Sequence, residues 1–292
     1  MENQDETKAL VEEYSRIFAS ILKEANKFIF DSDLDEKSLV AVRMIYAKIL
    51  EIRKLLDGIN YNYIEEETEK AVVEPTTLFV IVRNILELTY VYEYVFLMPD
   101  TDEKREFAYY LYMYTGLKER LSLELGDEKK DEQIRKTVIK ANEAKDKLLA
   151  SPYYHGLSNQ SQAIIQNRLN SPHPSYRLMF GDHEVAPVDY DKACVEIGMT
   201  GDFFKHMYGF LSTHAHPTYL SLVQFKEAYI GEKPLHDGFA GLAVTCLACI
   251  LSILLEDARQ QKPYIEAIYQ GLSDEMKARI AYYIKLTRVK VI

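Results

Sequence analysis

Two apolar stretches of this sequence carry residues that can hold charge or move protons. Leu78 to Thr89 is apolar except for Arg83 and Glu87, together with Asn84. Asp202 to Pro217 is rich in Phe, Met and Leu and ends Ser212-Thr-His214-Ala-His216-Pro. Charge in an apolar helix is costly unless it is paired, so these residues need a reason. Arg83 and Glu87 are spaced (i, i+4) and can pair along one helix. Two readings fit: an internal ion pair that sets helix register, or a site where Glu87 is a base or ligand and Arg83 grips an anion with its planar fork. At ~100° per residue, Arg83, Glu87, Tyr90 and Tyr94 share one face, and Ile81, Ile85, Leu88 and Tyr92 lie opposite.

On the second helix, Phe203, Phe204, Met207, Phe210, Leu211 and His214 share a face, so His214 is expected to point into the core. Such a histidine is either a hydrogen-bonded core residue or a general acid/base or metal ligand. Pro217 biases His216 away from helical geometry. His214-x-His216 offers two metal ligands, and His173, Asp182, His183 and Glu184 offer others. Helical metal sites place ligands at i and i+3 or i+4, a spacing lacking here, so no metal and no cofactor is expected. Ser212 could form a Ser–His pair with its neighbours, yet no Gly-x-Ser-x-Gly elbow surrounds it. No Gly-rich loop is present to cradle phosphate.

The elements that must carry these residues read as helices nearly throughout. Apolar residues recur at helical spacing over Glu6–Ile29, and Leu39–Leu56 continues a helix opened near Asp33 and ending near Gly58. Glu74-Pro75 opens a third helix running to Met98-Pro99. A fourth starts at Asp100-Thr-Asp-Glu and runs to Leu125. Gly126 and Asp127 mark a break, and a charged fifth helix covers Asp131–Leu149. Between Ser151 and Pro187 the chain is punctuated by Pro152, Pro172, Pro174 and Pro187, with room for one short helix at Asn159–Leu169. Helices are then expected at Asp189–Ile197, Asp202–His214, Leu220–Tyr229, Leu235–Arg259 and Ser273–Thr287. The expected fold is all-α: a multi-helix bundle of about ten helices with an irregular Pro-containing crossover. It is read as a single helical domain over 1–292, with a possible subdivision into 1–150 and 151–292.

The chain has 292 residues and 48% hydrophobic content, ordinary for a folded soluble protein. A net charge of -10 argues against a nucleic-acid-coating surface. Cys194, Cys246 and Cys249 give no disulfide framework, and Cys246-x-x-Cys249, inside an apolar run, reads as buried small hydrophobes. Met1–Glu6 is acidic with no signal-peptide core, so a cytoplasmic location is expected. Gly238–Leu255 lacks charge and has the length of a membrane span. Its small and polar residues and the flanking Asp237 and Glu256 make it a buried helix instead, with glycines that let neighbours approach closely. Twenty-two tyrosines crowd in part on the third and fourth helices, as expected of a tyrosine-rich seam.

The early Arg83-x-x-x-Glu87 helix and the late helix ending Phe210-Leu-Ser-Thr-His214 together resemble an uncharacterised bacterial all-helical family. The resemblance spans roughly residues 75–260 and implies that Arg83, Glu87, Ser212 and His214 meet in space. A second resemblance is to the HEPN class of helical ribonucleases, which use Arg followed after four to six residues by His. Arg168 to His173 and Arg177 to His183 have this spacing, interrupted by Pro172 and Gly181. The leading expectation is therefore a soluble bacterial protein with a binding or regulatory role, in stress or defence, built on a buried Arg83/Glu87/His214 cluster. Its ligand would be a small molecule or a protein, and homo-oligomers are compatible. One alternative is a ribonuclease or other phosphate-ester hydrolase with His214 as acid/base and Arg83 on the phosphate. The other is a structural or assembly protein.

Overall fold

A computed structural model describes residues 2–28, 32–58, 73–122, 128–199, 202–215, 218–219, 221–223, 226 and 236–288. The fold is all-α: among the described residues the elements are helices plus one two-stranded hairpin. Contacts divide the chain into two compact units, one formed by Met1–Tyr92 with Gly198–Ile292 and the other by Glu93–Ile197.

The first unit contains α1 (Glu2–Ala25), α2 (Asp33–Leu55), α3 (Pro75–Val91), α9 (Asp202–Ala215), α10 (His236–Gln261), α11 (Pro263–Gln270) and α12 (Asp274–Thr287). Local chemistry sets the ends. Ser32 caps α2 by accepting from the Asp35 amide at 3.1 Å, satisfying a donor that the first turn leaves free. Downstream of α2, Gly58 adopts φ 79°, a conformation that favours glycine. Ser273 caps α12 through the Met276 amide at 3.2 Å.

α10 is the centre of this unit and packs against α1, α3, α11 and α12. Gly238–Gln261 is long and apolar enough to cross a membrane, and 72% of its most apolar window is buried inside the protein. Leu247 to Leu255 is enclosed on every side, as a helix apolar all round must be. Cys246 and Cys249 are buried in it, and burial pushes both thiols up to about 12. The polar groups that enter this core find each other: Tyr14 Oη and Ser252 Oγ lie 2.6 Å apart, and Tyr14 Oη also donates to the Ala248 carbonyl at 3.3 Å.

Gly198 opens the second segment of this unit with φ 80°. A Cβ there would come within 2.8 Å of Arg288 Nε, and Arg288 in turn pairs with the half-buried Asp257. Gly198→Ala is therefore expected to cost about 1–2 kcal/mol, measurable as a shift in the denaturant midpoint at unchanged slope. A midpoint equal to wild type would show that this strain does not exist.

The second unit holds α4 (Asp102–Ser122), α5 (Glu128–Ala150), α6 (Pro152–Gly156), α7 (Asn159–Leu169), the hairpin β1 (Leu178–Phe180) and β2 (Val185–Pro187), and α8 (Tyr190–Glu196). It begins at Glu93, within a π-helix of Tyr92–Leu97 that closes with Met98 N donating to Glu93 O at 2.7 Å. α4 and α5 form a helical hairpin, with α6 packed on both. Phe107, Leu111, Leu148, Tyr153, Ile165, Leu178 and Val185 make one core. The tyrosines of α4 meet several neighbours: Tyr112 meets Tyr176 edge-on at 5.0 Å, Tyr114 Oη donates to Leu169 O at the end of α7 at 2.8 Å, and Tyr109 packs on Phe96.

Several expectations are corrected in detail. The 178–187 stretch pairs as an antiparallel hairpin, Leu178 opposite Pro187 and Phe180 opposite Val185; three-residue strands are too short to show alternation in a sequence. α6 and α11 were not anticipated, because each is brief and opens on a proline that reads equally well as a breaker. The break at Gly126–Asp127 and most of the helix expected at Leu220–Tyr229 lie outside the described residues.

Candidate functional site

α3 and α9 pack together and carry most of the residues singled out in the sequence. Glu74 starts α3. Its carboxylate accepts from the Thr76 amide at 2.9 Å and the Thr77 amide at 2.5 Å, and from the Thr76 hydroxyl. Burial raises its pKa, but these hydrogen bonds outweigh burial and hold Glu74 below the usual carboxylate range.

One turn into α3, the Phe79 ring stacks on the His214 imidazole at 4.7 Å between centroids. It also meets Phe210 edge-on at 4.8 Å. His214 is 5% exposed, and neither ring nitrogen has a hydrogen-bond partner among the described residues. Burial holds its pKa below the ordinary histidine value, against the field of Glu74. The imidazole is thus a neutral aromatic plate in an apolar seam. Ser212 Oγ is likewise buried without a partner. Ser212 and His214 are two residues apart on one helix, a spacing that does not bring side chains together, and no hydrogen bond joins them.

A further turn along α3, Arg83 Nε donates to Glu87 Oε1 at 3.1 Å, with side-chain exposures of 18% and 42%. The guanidinium lies over the Tyr208 ring, 5.5 Å from its centroid. Glu87 reaches solvent, so the pair sits at the edge of the unit. Its contribution is that of an (i, i+4) surface pair, about 0.3–0.5 kcal/mol. The two helices run antiparallel at this seam: Phe79 meets Phe210 and His214, and Arg83 meets the earlier Tyr208. Arg83 pairs with Glu87, and His214 makes its ring contacts with Phe79 and Phe210 one level away. No hydrogen bond or ion pair connects the two sets among the described residues.

His216 lies outside the described residues. Among those that are described, no group of three or more His, Cys, Asp or Glu is arranged to hold a metal ion. Asp182 instead pairs with Lys104 at 2.9 Å, and Lys104 also pairs with Asp100 at 2.9 Å. Two of the ribonuclease-like side chains, Arg168 and His183, make hydrogen-bonding contacts with nearby backbone carbonyls. Arg168 Nη1 donates to Ser175 O at 2.7 Å, and His183 Nδ1 lies 3.0 Å from Gly156 O. Arg177 to His183 forms a hairpin strand and turn where the HEPN class has a helix.

The feature that sequence reasoning missed is a groove in the first unit. α1, α10 and α12 leave an open cavity of about 790 Å³, within the range of small-molecule sites. Gly238 and Gly241 on α10 form part of its wall, with Leu10, Val244 and Thr245 beside them and Tyr282 and Tyr283 from α12. Close helix approach does not explain these glycines. A Cβ at either would meet nothing within 4 Å. Their spacing in an apolar helix was visible in the sequence, but it signals a tight helix crossing and a bare groove wall equally.

Comparison of the chain with models of known protein families, with curated proteins and with solved structures finds no match.

Proposed function

We propose that this is a soluble cytoplasmic binding protein whose ligand lies in the groove between α1, α10 and α12, with a regulatory role. The observation that carries this reading is the bare α10 wall of an open cavity of about 790 Å³. Glycine inside a helix is less stable than alanine by roughly 0.5–1 kcal/mol. No packing contact recovers that loss at Gly241. A residue kept at the expense of stability, on the wall of a cavity, is what a binding site requires. Gly116 and Gly209 also have open space around them, but neither lines this cavity.

The catalytic alternative has less behind it. Arg83 and His214 occupy different levels of the α3/α9 seam, and His214 is enclosed by aromatic rings.

Two substitutions test the binding reading. Gly241→Ala should raise stability by roughly 0.5–1 kcal/mol. Gly241→Leu should fold equally well but fill the groove. In a thermal-shift screen of a small-molecule library, compounds that raise the wild-type midpoint should lose their effect on Gly241→Leu. Hits that stabilise both proteins alike, or a screen with no hits, would overturn the proposal.

A further inference from the structure

The groove's chemistry is uneven. Its apolar side is Leu10, Val244 and the α10 glycine wall. Its polar side is acidic. Glu6 of α1 and Glu275 of α12 line it, as does Arg279. That arginine is already engaged twice: Arg279 Nη1 donates to Glu13 Oε2 at 3.0 Å, and Nη2 to Glu275 Oε1 at 2.6 Å. Two carboxylates, Glu13 and Glu275, thus hold the guanidinium, and its charge is committed. Glu6 carries no ion pair among the described residues, leaving an unbalanced negative charge over an apolar floor. Two rings stand at the same wall: Tyr282, 59% exposed, and Tyr283 are edge to face at 5.4 Å. Exposed tyrosine faces attract cations by their quadrupole, and carboxylates do so by charge.

We infer that the ligand of this groove is an amphipathic organic cation, an apolar body bearing an ammonium group, seated with its apolar part on Gly238 and Gly241 and its charge between Glu6 and the Tyr282 ring. This rests on the binding reading above and adds the chemical class to it. An anion would meet Glu6 and Glu275 and find the one arginine occupied. A wholly apolar ligand would leave Glu6 beside it without a counter-charge, a loss of solvation with nothing in return. The net charge of -10 adds a general attraction for cations at low ionic strength.

The test compares three fluorescent probes that share one apolar body: dansylcadaverine, which is cationic, dansylamide, which is neutral, and dansylglycine, which is anionic. Titration into the full chain should give saturable enhancement with dansylcadaverine. Its affinity should exceed that of dansylamide by about tenfold or more, corresponding to one well-placed charge contact, and dansylglycine should be weaker still. Raising the salt concentration should reduce the preference, because these charges are open to solvent. Glu6→Gln should weaken dansylcadaverine several-fold and leave dansylamide unchanged, and Gly241→Leu should abolish all binding. Equal affinity of the cationic and neutral probes, with both lost in Gly241→Leu, would overturn the ligand class while leaving the groove as the binding site. Preference for the anion would do the same. Binding that survives Gly241→Leu, or no binding of any probe, would overturn both.

Discussion

Phe79→Ala is expected to lower the stability of the first unit by about 3–5 kcal/mol. Phe79 is fully buried, and its ring joins α3 to both α9 and α10. Its ring meets His214 and Phe210 of α9 at 4.7 and 4.8 Å, and Phe239 of α10 at 6.3 Å. Truncation removes the transfer energy of the ring and leaves a cavity that three helices would have to close. It also uncovers the stacked face of an imidazole whose nitrogens are unpartnered. Denaturant unfolding followed by circular dichroism measures the loss. A shift below about 1 kcal/mol would mean that the α3/α9 seam relaxes into the space. Phe79→Leu, which retains most of the volume, should cost distinctly less.

Stability of the first unit is expected to fall as the pH drops below about 6.5, and His214→Leu should remove that fall. The folded imidazole has its pKa held down by burial among Phe79 and Phe210, with the Glu74 carboxylate opposing. In the unfolded chain it titrates at the ordinary value. Below that value the unfolded state binds more protons than the folded one, and acid therefore draws the equilibrium toward unfolding. Above it both states are neutral and the effect vanishes. One such group contributes a slope of at most about 1.4 kcal/mol per pH unit, ending below the folded pKa. His214→Leu should flatten the profile between pH 7.5 and 5.5. Because it removes two buried unpaired nitrogens, it should hold or raise stability at pH 7.5 by about 1 kcal/mol. Parallel profiles for the two proteins would show that water reaches the imidazole and satisfies it.

Helix boundaries were readable where a local signal stands at the end of a long apolar repeat. Asn159–Leu169 coincides with α7, and the Asp274–Thr287 helix begins one residue after the expected start, at the Ser273 cap. α2 was legible from its start at Asp33 and from Gly58, although its cap, Ser32, was not singled out. Periodicity also placed Met207, Leu211 and His214 correctly on the buried face of α9. The same wheel put Glu87 in the interior with Arg83, whereas Glu87 is substantially exposed. A helix wheel gives directions around one axis, and only the neighbours decide which direction is solvent.

By itself the sequence determined the class of structure. Its helical periodicity, scarce glycine and proline, and capping residues are properties of adjacent positions, and they dictate helices and their ends. It determined too that most of the uncharged stretch Gly238–Leu255 of α10 would be buried, since an apolar run of that length must leave water. Tertiary structure alone decided what lies against what. Residues 93–197 close on themselves while the two flanking segments fold together. Arg83 and His214 fall at separate levels of one seam. Gly238 and Gly241 line an open groove with Glu6, Glu275 and Tyr282 around it. These outcomes depend on how several helices cross, and crossing is settled by the summed fit of side chains far apart in the chain.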